Sequence, residues 1–112
     1  MIKGHKIEKE IKLYKFLNII SNYSPDQIKC TSHTFFRLNE EQRKLFKCEE
    51  LKVFLLEKEP IFAGLQYNNN YAVFYAYKEN LAIRLILDIS LKEIQIVTFY
   101  MIEKKDIPLI QK

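Results

Sequence analysis

Cysteine and histidine are scarce in this sequence, which contains two of each. Cys30 and Cys48 form no CxxC pair, and no neighbouring pair of histidines exists, so the usual zinc spacings are absent. We therefore expect no metal and no other cofactor. Reduced thiols in a cytosol are the expectation, and a Cys30–Cys48 disulfide stays open for a hyperthermophile, where intracellular bridges occur.

Long apolar runs are also missing. The first twelve residues, MIKGHKIEKEIK, lack the apolar core of a signal peptide, and no segment approaches the roughly 18 apolar residues of a membrane span. We expect a soluble, cytoplasmic protein with no membrane partner. Glycine and proline are few, with two and three residues, and no linker or repeat appears. One domain over residues 1–112 is expected, with residues 1–27 as an N-terminal helical extension.

The charge balance is mildly basic, with 18 Lys and Arg against 14 Asp and Glu and a formal net charge of +4. Such an excess permits a polyanionic partner but is also common on solvated surfaces. The abundance of Lys, Ile and Glu suits a thermophile, and an AT-rich genome produces the same bias. Charge alone therefore selects no function.

Three strands are predicted between Tyr71 and Met101, over residues 71–78, 81–89 and 93–101. Glu79-Asn80 and Ser90-Leu91-Lys92 are the links, and tight turns there would place Tyr75, Arg84 and Thr98 side by side in one row. The other face of the sheet reads as an apolar core that includes Phe74, Leu85 and Phe99.

The remaining patterns complete an α+β protein. Residues 5–23, 39–46 and 48–58 have helical spacing, residues 61–67 are typical of a strand, and asparagines 68–70 suit a turn. Residues 28–38 favour a strand, with a helix from Ser32 as the alternative. We predict an antiparallel sheet of about four to five strands, with the N-terminal helix and the two short helices on one face. The residues after Met101 are expected to form a tail on the edge of this sheet.

Two stretches carry a resemblance to known families. NNNYAVFYAYKENLAIRLILDI resembles the central hairpin of RelE/ParE-like toxins, within the superfamily of metal-independent ribonucleases that includes barnase-like, EndoU and colicin-like enzymes. SHTFFRLNEEQRKLFKCEELKVFLL, with the late IQIVTFY, is similar to a related family that has an early histidine, an arginine before the second helix and a threonine in the last strand. The sequence departs from the toxins where Ser90-Leu91-Lys92 leads into a further strand.

This resemblance implies a β-α-α-β-β-β core and a metal-independent endoribonuclease, most simply the toxin of a toxin–antitoxin pair. The implied partners are RNA, ribosome-associated or free, and an antitoxin protein, with the protein itself a monomer or a homodimer. RNA cleavage needs a proton acceptor and donor, which histidine supplies, and a cation for the phosphate, which arginine supplies. The catalytic candidates are His33, Arg84 and Thr98, and the RNA-contacting candidates are Arg37, Arg43, Tyr75 and Tyr100.

A structural explanation exists for each candidate. Arg84 could pair with Asp88, two residues along on the same face, and Thr98 fits a strand by propensity. Tyrosines on a sheet pack more often than they stack on bases. Three hypotheses therefore remain: a ribonuclease, a non-catalytic nucleic-acid-binding protein of the same fold, and a protein-interaction domain.

Overall fold

The fold is a mixed six-stranded sheet with two helices, in a computed structural model that describes residues 7–31, 47–66 and 68–107. The elements are β1 (Ile7–Glu10), α1 (Leu13–Ile20), a 3₁₀ turn (Pro25–Gln27), β2 (Ile28–Cys30), α2 (Cys48–Glu57), β3 (Phe62–Gln66), β4 (Tyr71–Lys78), β5 (Leu81–Ile89), β6 (Ile94–Glu103) and a second 3₁₀ turn (Lys104–Asp106). The predicted helix at 39–46 lies outside these residues.

The strand order is β1-β3-β4-β5-β6-β2. Strand β2 runs parallel to β6, and the other pairs in the sheet are antiparallel. The α+β class is therefore confirmed, but the sheet has one strand more than the upper limit predicted. Four strands follow α2 and another precedes α1, so the implied β-α-α-β-β-β core is not reproduced.

The N-terminal segment departs from prediction because β1 occupies the first part of the expected helix at residues 5–23. Ile7 and Ile11 are four residues apart, a spacing that puts them on one side of either a strand or a helix. Pairing with β3 decides for the strand. Gly64 permits the close approach, because a Cβ there would lie 2.5 Å from the Ile7 Cγ2 atom and 3.0 Å from the Lys9 carbonyl oxygen.

One face of the sheet, which we name the helix face, is covered by α1 and α2. Phe16 and Ile20 of α1 and Leu51 and Leu55 of α2 are buried there, with Phe54 packed beside them. The strands contribute the rest of this core: Ile28, Ala63, Val73, Tyr75, Ile83, Leu85, Leu87, Ile94, Ile96 and Phe99. The helix predicted over residues 48–58 is thus confirmed, with its apolar side chains facing the sheet.

A β-bulge at Tyr77 makes the predicted register of the first hairpin wrong by one residue. The turn at Glu79-Asn80 is as predicted, but Lys78 pairs with Leu81 while Ala76 pairs with Ala82. The extra residue reverses the faces of the preceding strand, because side chains alternate along it. Phe74 is buried, but on the face opposite to Leu85 and Phe99, so the predicted grouping of these three residues in one core is wrong.

The second hairpin also differs from prediction. Its loop has four residues, since Ile89 pairs with Ile94, and a further irregularity follows where Ile86 pairs with Thr98 and Leu87 with Ile96. The two displacements add to a shift of two residues. A two-residue shift keeps each side chain on its face, so Thr98 stays on the face of Arg84 but opposite Ile86.

Cys30 and Cys48 form a disulfide with their Cα atoms 6.0 Å apart, so the expectation of reduced thiols is corrected. The turn at residues 68–70 is confirmed, with a positive φ of 70° at Asn69, a conformation that asparagine tolerates. Ile107, in the predicted tail, is buried in one cluster with Phe62 and Phe74, on the second face of the sheet rather than at its edge.

Candidate functional site

The second face of the sheet, which we name the arginine face, carries Arg84, Thr98 and Tyr100. Arg84 of β5 pairs directly with Tyr100 of β6, and Thr98 lies two residues along the same strand, so it is a diagonal neighbour. All three side chains are half-buried. Around them, an apolar floor is formed by Phe62, Ala72, Phe74, Ala82, Ile86 and Ile107.

The Arg84 side chain lies over an aromatic ring. Its guanidinium carbon is 5.2 Å from the centroid of the Phe74 ring, within the range of a cation–π interaction. Burial lowers the pKa of Arg84, and the Tyr100 phenol acts in the opposite direction. Arginine nevertheless stays protonated in proteins, so a permanent positive charge sits beside two hydroxyl groups in a partly dehydrated place.

Tyr75 does not belong to this arrangement. The bulge at Tyr77 turns it to the helix face, opposite Ile83, where it is 1% exposed and its ring lies 5.5 Å from that of Phe54. The predicted row of Tyr75, Arg84 and Thr98 is therefore wrong. Burial raises the pKa of the Tyr75 hydroxyl well above 10.0. A tyrosine beneath α2 cannot stack on a base without opening the core.

Thr31 was missed by sequence reasoning, and it links the N-terminal half of the chain to this site. Its backbone N–H donates to the Ile96 carbonyl at 3.1 Å, and its hydroxyl donates to the Val97 carbonyl at 3.1 Å. These bonds extend the parallel pairing of β2 with β6 to the residue before Thr98. No sequence signal identifies this contact, because parallel pairing joins segments far apart in the chain.

His33, Arg37 and Arg43 lie outside the described residues, and their roles stay predictions. The chain leaves Thr31, however, beside the strand that carries Thr98 and Tyr100. His33 follows two residues later in the sequence. Within residues 7–31, 47–66 and 68–107, no cluster of three or more His, Cys, Asp or Glu side chains could hold a metal ion.

No helix in the described part of the chain is long and apolar enough to cross a membrane. Comparison with curated proteins and with solved structures produces no match. A family model matches residues 14–87, about two-thirds of the chain, and this range includes both cysteines and Arg84 but ends before Thr98 and Tyr100. By that match, the chain belongs to the MJ0788 family.

Proposed function

We propose that this protein binds RNA on the arginine face and cleaves it without a metal ion, as a small ribonuclease of the RelE-like kind. The observation that carries the proposal is the direct pairing of Arg84 with Tyr100, next to Thr98. Burial of a charge costs free energy unless neighbouring groups compensate it, and the half-buried Arg84 lies over the Phe74 ring. Here the charge is accompanied by groups that suit a phosphodiester.

Each side chain has a role in this proposal. Arg84 donates two parallel hydrogen bonds to a phosphate, and its partial burial strengthens the attraction by lowering the local dielectric constant. Thr98 donates to a neighbouring phosphate oxygen. Tyr100 contacts the adjoining ribose or base, which aromatic rings bind with little dependence on sequence.

Cleavage requires a proton to leave a 2′-hydroxyl and another to reach the departing oxygen. His33 is the proposed acid or base, because the pKa of imidazole is near neutrality. Arg37 and Arg43 are proposed as further phosphate contacts. Arg84 then stabilises the charge that develops on phosphorus, so its loss should reduce cleavage more than binding.

The binding experiment compares Arg84→Gln with Lys58→Gln, which removes the same charge from an exposed position at the end of α2. Fluorescence anisotropy with a single-stranded RNA, at several salt concentrations, measures both affinity and its salt dependence. We expect Arg84→Gln to weaken binding about tenfold or more and to reduce the salt slope by about 0.7, the value for one phosphate contact on a single strand. Equal affinities for the two variants would reject the site.

The cleavage experiment uses the intact protein with EDTA present, and His33→Ala beside it. We expect cleavage that survives EDTA and is lost in His33→Ala while RNA binding persists. RNA binding without cleavage would select the non-catalytic hypothesis. Absence of RNA binding would select the hypothesis of a protein-interaction domain. A toxin–antitoxin role is tested separately, by growth arrest when the protein is expressed.

A further inference from the structure

We propose that the Cys30–Cys48 disulfide is a redox switch, and that its reduction by a dithiol lowers the affinity of the arginine face for RNA. This inference rests on the proposed function for its ligand. Its structural part, a link between the disulfide and the edge of β6, stands on contacts that do not depend on RNA.

The disulfide joins two elements that also meet in the core of the helix face, where Ile28 of β2 and Leu51 and Leu55 of α2 are buried. Cys30 is the last residue of β2, a three-residue strand at the edge of the sheet, and Cys48 is the first residue of α2. Three residue pairs align β2 with β6. So short a strand contributes few ladder hydrogen bonds, and a covalent bond to the helix next to it adds to the restraint that these bonds and the buried Ile28 side chain provide.

Thr31 connects the end of β2 to the strand that carries Thr98. It follows Cys30 directly and donates hydrogen bonds to the carbonyls of Ile96 and Val97, the two residues before Thr98. When the disulfide opens, the end of β2 loses its covalent tie to α2 and is held by non-covalent contacts: the pairing with β6, the buried Ile28 and the hydrogen bonds of Thr31. The phosphate contact at Thr98 then loses the fixed strand beside it, which reduces preorganisation for the ligand.

The position of the disulfide suits exchange with a dithiol. Both cysteines are half-buried rather than sealed in the core, and exchange requires that an attacking thiolate reach one of their sulfur atoms. Cys48 begins a ten-residue helix, where the N-terminal N–H groups stabilise a departing thiolate. Glu49 and Glu50 oppose this effect, although the Glu50 carboxylate is engaged by the Lys47 N–H at 2.8 Å.

The reaction balances with a dithiol as the reductant. Its thiolate attacks one sulfur of the protein disulfide, forming a mixed disulfide and releasing the other cysteine as a thiolate. The second thiol of the reductant then displaces the first cysteine. Two electrons and two protons pass from the dithiol, which becomes a cyclic disulfide, while Cys30 and Cys48 become thiols.

The test compares the oxidised protein, the protein reduced with dithiothreitol, and the double variant Cys30→Ser with Cys48→Ser. Two quantities are measured on each: affinity for a single-stranded RNA, and the hydrogen-exchange rate of the Thr31 amide, which bonds the Ile96 carbonyl. We expect reduction to speed exchange at Thr31 at least tenfold and to weaken RNA binding at least fivefold. Reoxidation should restore both, and the double variant should resemble the reduced protein and ignore dithiothreitol.

The outcomes separate the two proposals. If the oxidised protein binds RNA and reduction changes neither affinity nor exchange, the switch is rejected and the RNA site stands. If the oxidised protein binds no RNA, the proposed function is rejected, and control of RNA affinity is rejected with it. Exchange at Thr31 then decides alone whether the disulfide restrains the β6 edge. Reduction of the wild-type protein, with circular dichroism as a check on folding, decides the matter even if the double variant does not fold.

Discussion

The two faces of the sheet are built from the same strands but differ in what they hold. Among the described residues, the core of the helix face has fourteen buried side chains, ten from the strands and four from the two helices, whereas the arginine face has six and keeps Arg84, Thr98 and Tyr100 half-exposed. The larger core supplies most of the free energy of folding, because hydrophobic stabilisation grows with the apolar area removed from water. The arginine face, which buries fewer apolar side chains, can then carry the charge of Arg84.

Aromatic residues show the same contrast. On the helix face, the Phe54 and Tyr75 rings pack together and leave a hydroxyl in the core. On the arginine face, the Phe74 ring packs edge-on against Phe62 at 5.7 Å and also lies under the Arg84 guanidinium. An aromatic ring thus serves as filling on one face and as a support for a cation on the other.

The largest expected effect belongs to the core of the helix face. Phe16 is fully buried between α1 and the sheet. Phe16→Ala should lower the unfolding free energy of the protein by about 3–5 kcal/mol, because apolar burial is lost and a cavity remains. Tyr14 on the same helix is 68% exposed, so Tyr14→Ala should change the unfolding free energy by less than about 0.5 kcal/mol. Urea unfolding measures both. Equal losses would show that α1 does not cover this core.

A smaller effect, of opposite sign, is expected at Tyr75. No hydrogen-bond partner reaches its buried hydroxyl within the part of the chain that the structure describes. Because a buried polar group without a partner is destabilising, Tyr75→Phe should raise the unfolding free energy by about 1 kcal/mol at neutral pH. Tyr14→Phe controls for loss of a hydroxyl at an exposed position.

The buried Tyr75 hydroxyl should also make the unfolding free energy depend on pH, and Tyr75→Phe tests this. Burial raises the pKa of Tyr75 in the folded protein above its ordinary value of 10.0. Above about pH 10 the unfolded chain therefore loses the phenol proton while the folded protein keeps it. The unfolding free energy of the wild type should then fall by up to about 1.4 kcal/mol per pH unit from this group. Tyr75→Phe should remove that contribution, and identical alkaline unfolding curves would contradict the burial of the hydroxyl.

The smallest expected effect concerns the interaction between the Arg84 guanidinium and the Phe74 ring. A double-mutant cycle combines Phe74→Leu with Arg84→Met and measures unfolding free energies of the four proteins. We expect a coupling of about 0.5–1 kcal/mol, since the guanidinium lies over the Phe74 ring at a half-exposed site. Phe99→Leu, on the helix face, replaces Phe74→Leu in the control cycle and should show no coupling. Equal couplings would mean that the two faces do not differ in this respect.

Much of the fold could be predicted from local patterns. Strands β4 and β5 have the predicted bounds, and β6 begins one residue later than predicted and continues to Glu103. Helix α2 ends one residue early. These segments have strong periodicity and clear turn residues at their ends, so their identity is decided locally. Strand β1 was missed because a spacing of four residues does not distinguish a strand from a helix.

The candidate site was predicted less well, because it depends on register. Arg84 and Thr98 share a face as predicted, and Tyr100, the weaker candidate, is the residue directly opposite Arg84. Tyr75 was assigned to the wrong face because a bulge adds one residue to a strand, and Tyr77 carries no residue signature that marks a bulge. Thr31 could not be found at all, since it reaches the site through parallel pairing.

The sequence by itself determined the α+β class and the identity of the central strands, because hydrophobic alternation and turn residues act over a few neighbouring positions. Tertiary structure decided which face Tyr75 occupies, which residue meets Arg84, that β2 pairs with β6, and that Cys30 and Cys48 are joined. Those outcomes follow from bulges and long-range packing, where the free energy of the whole sheet selects among registers that local patterns leave nearly equal.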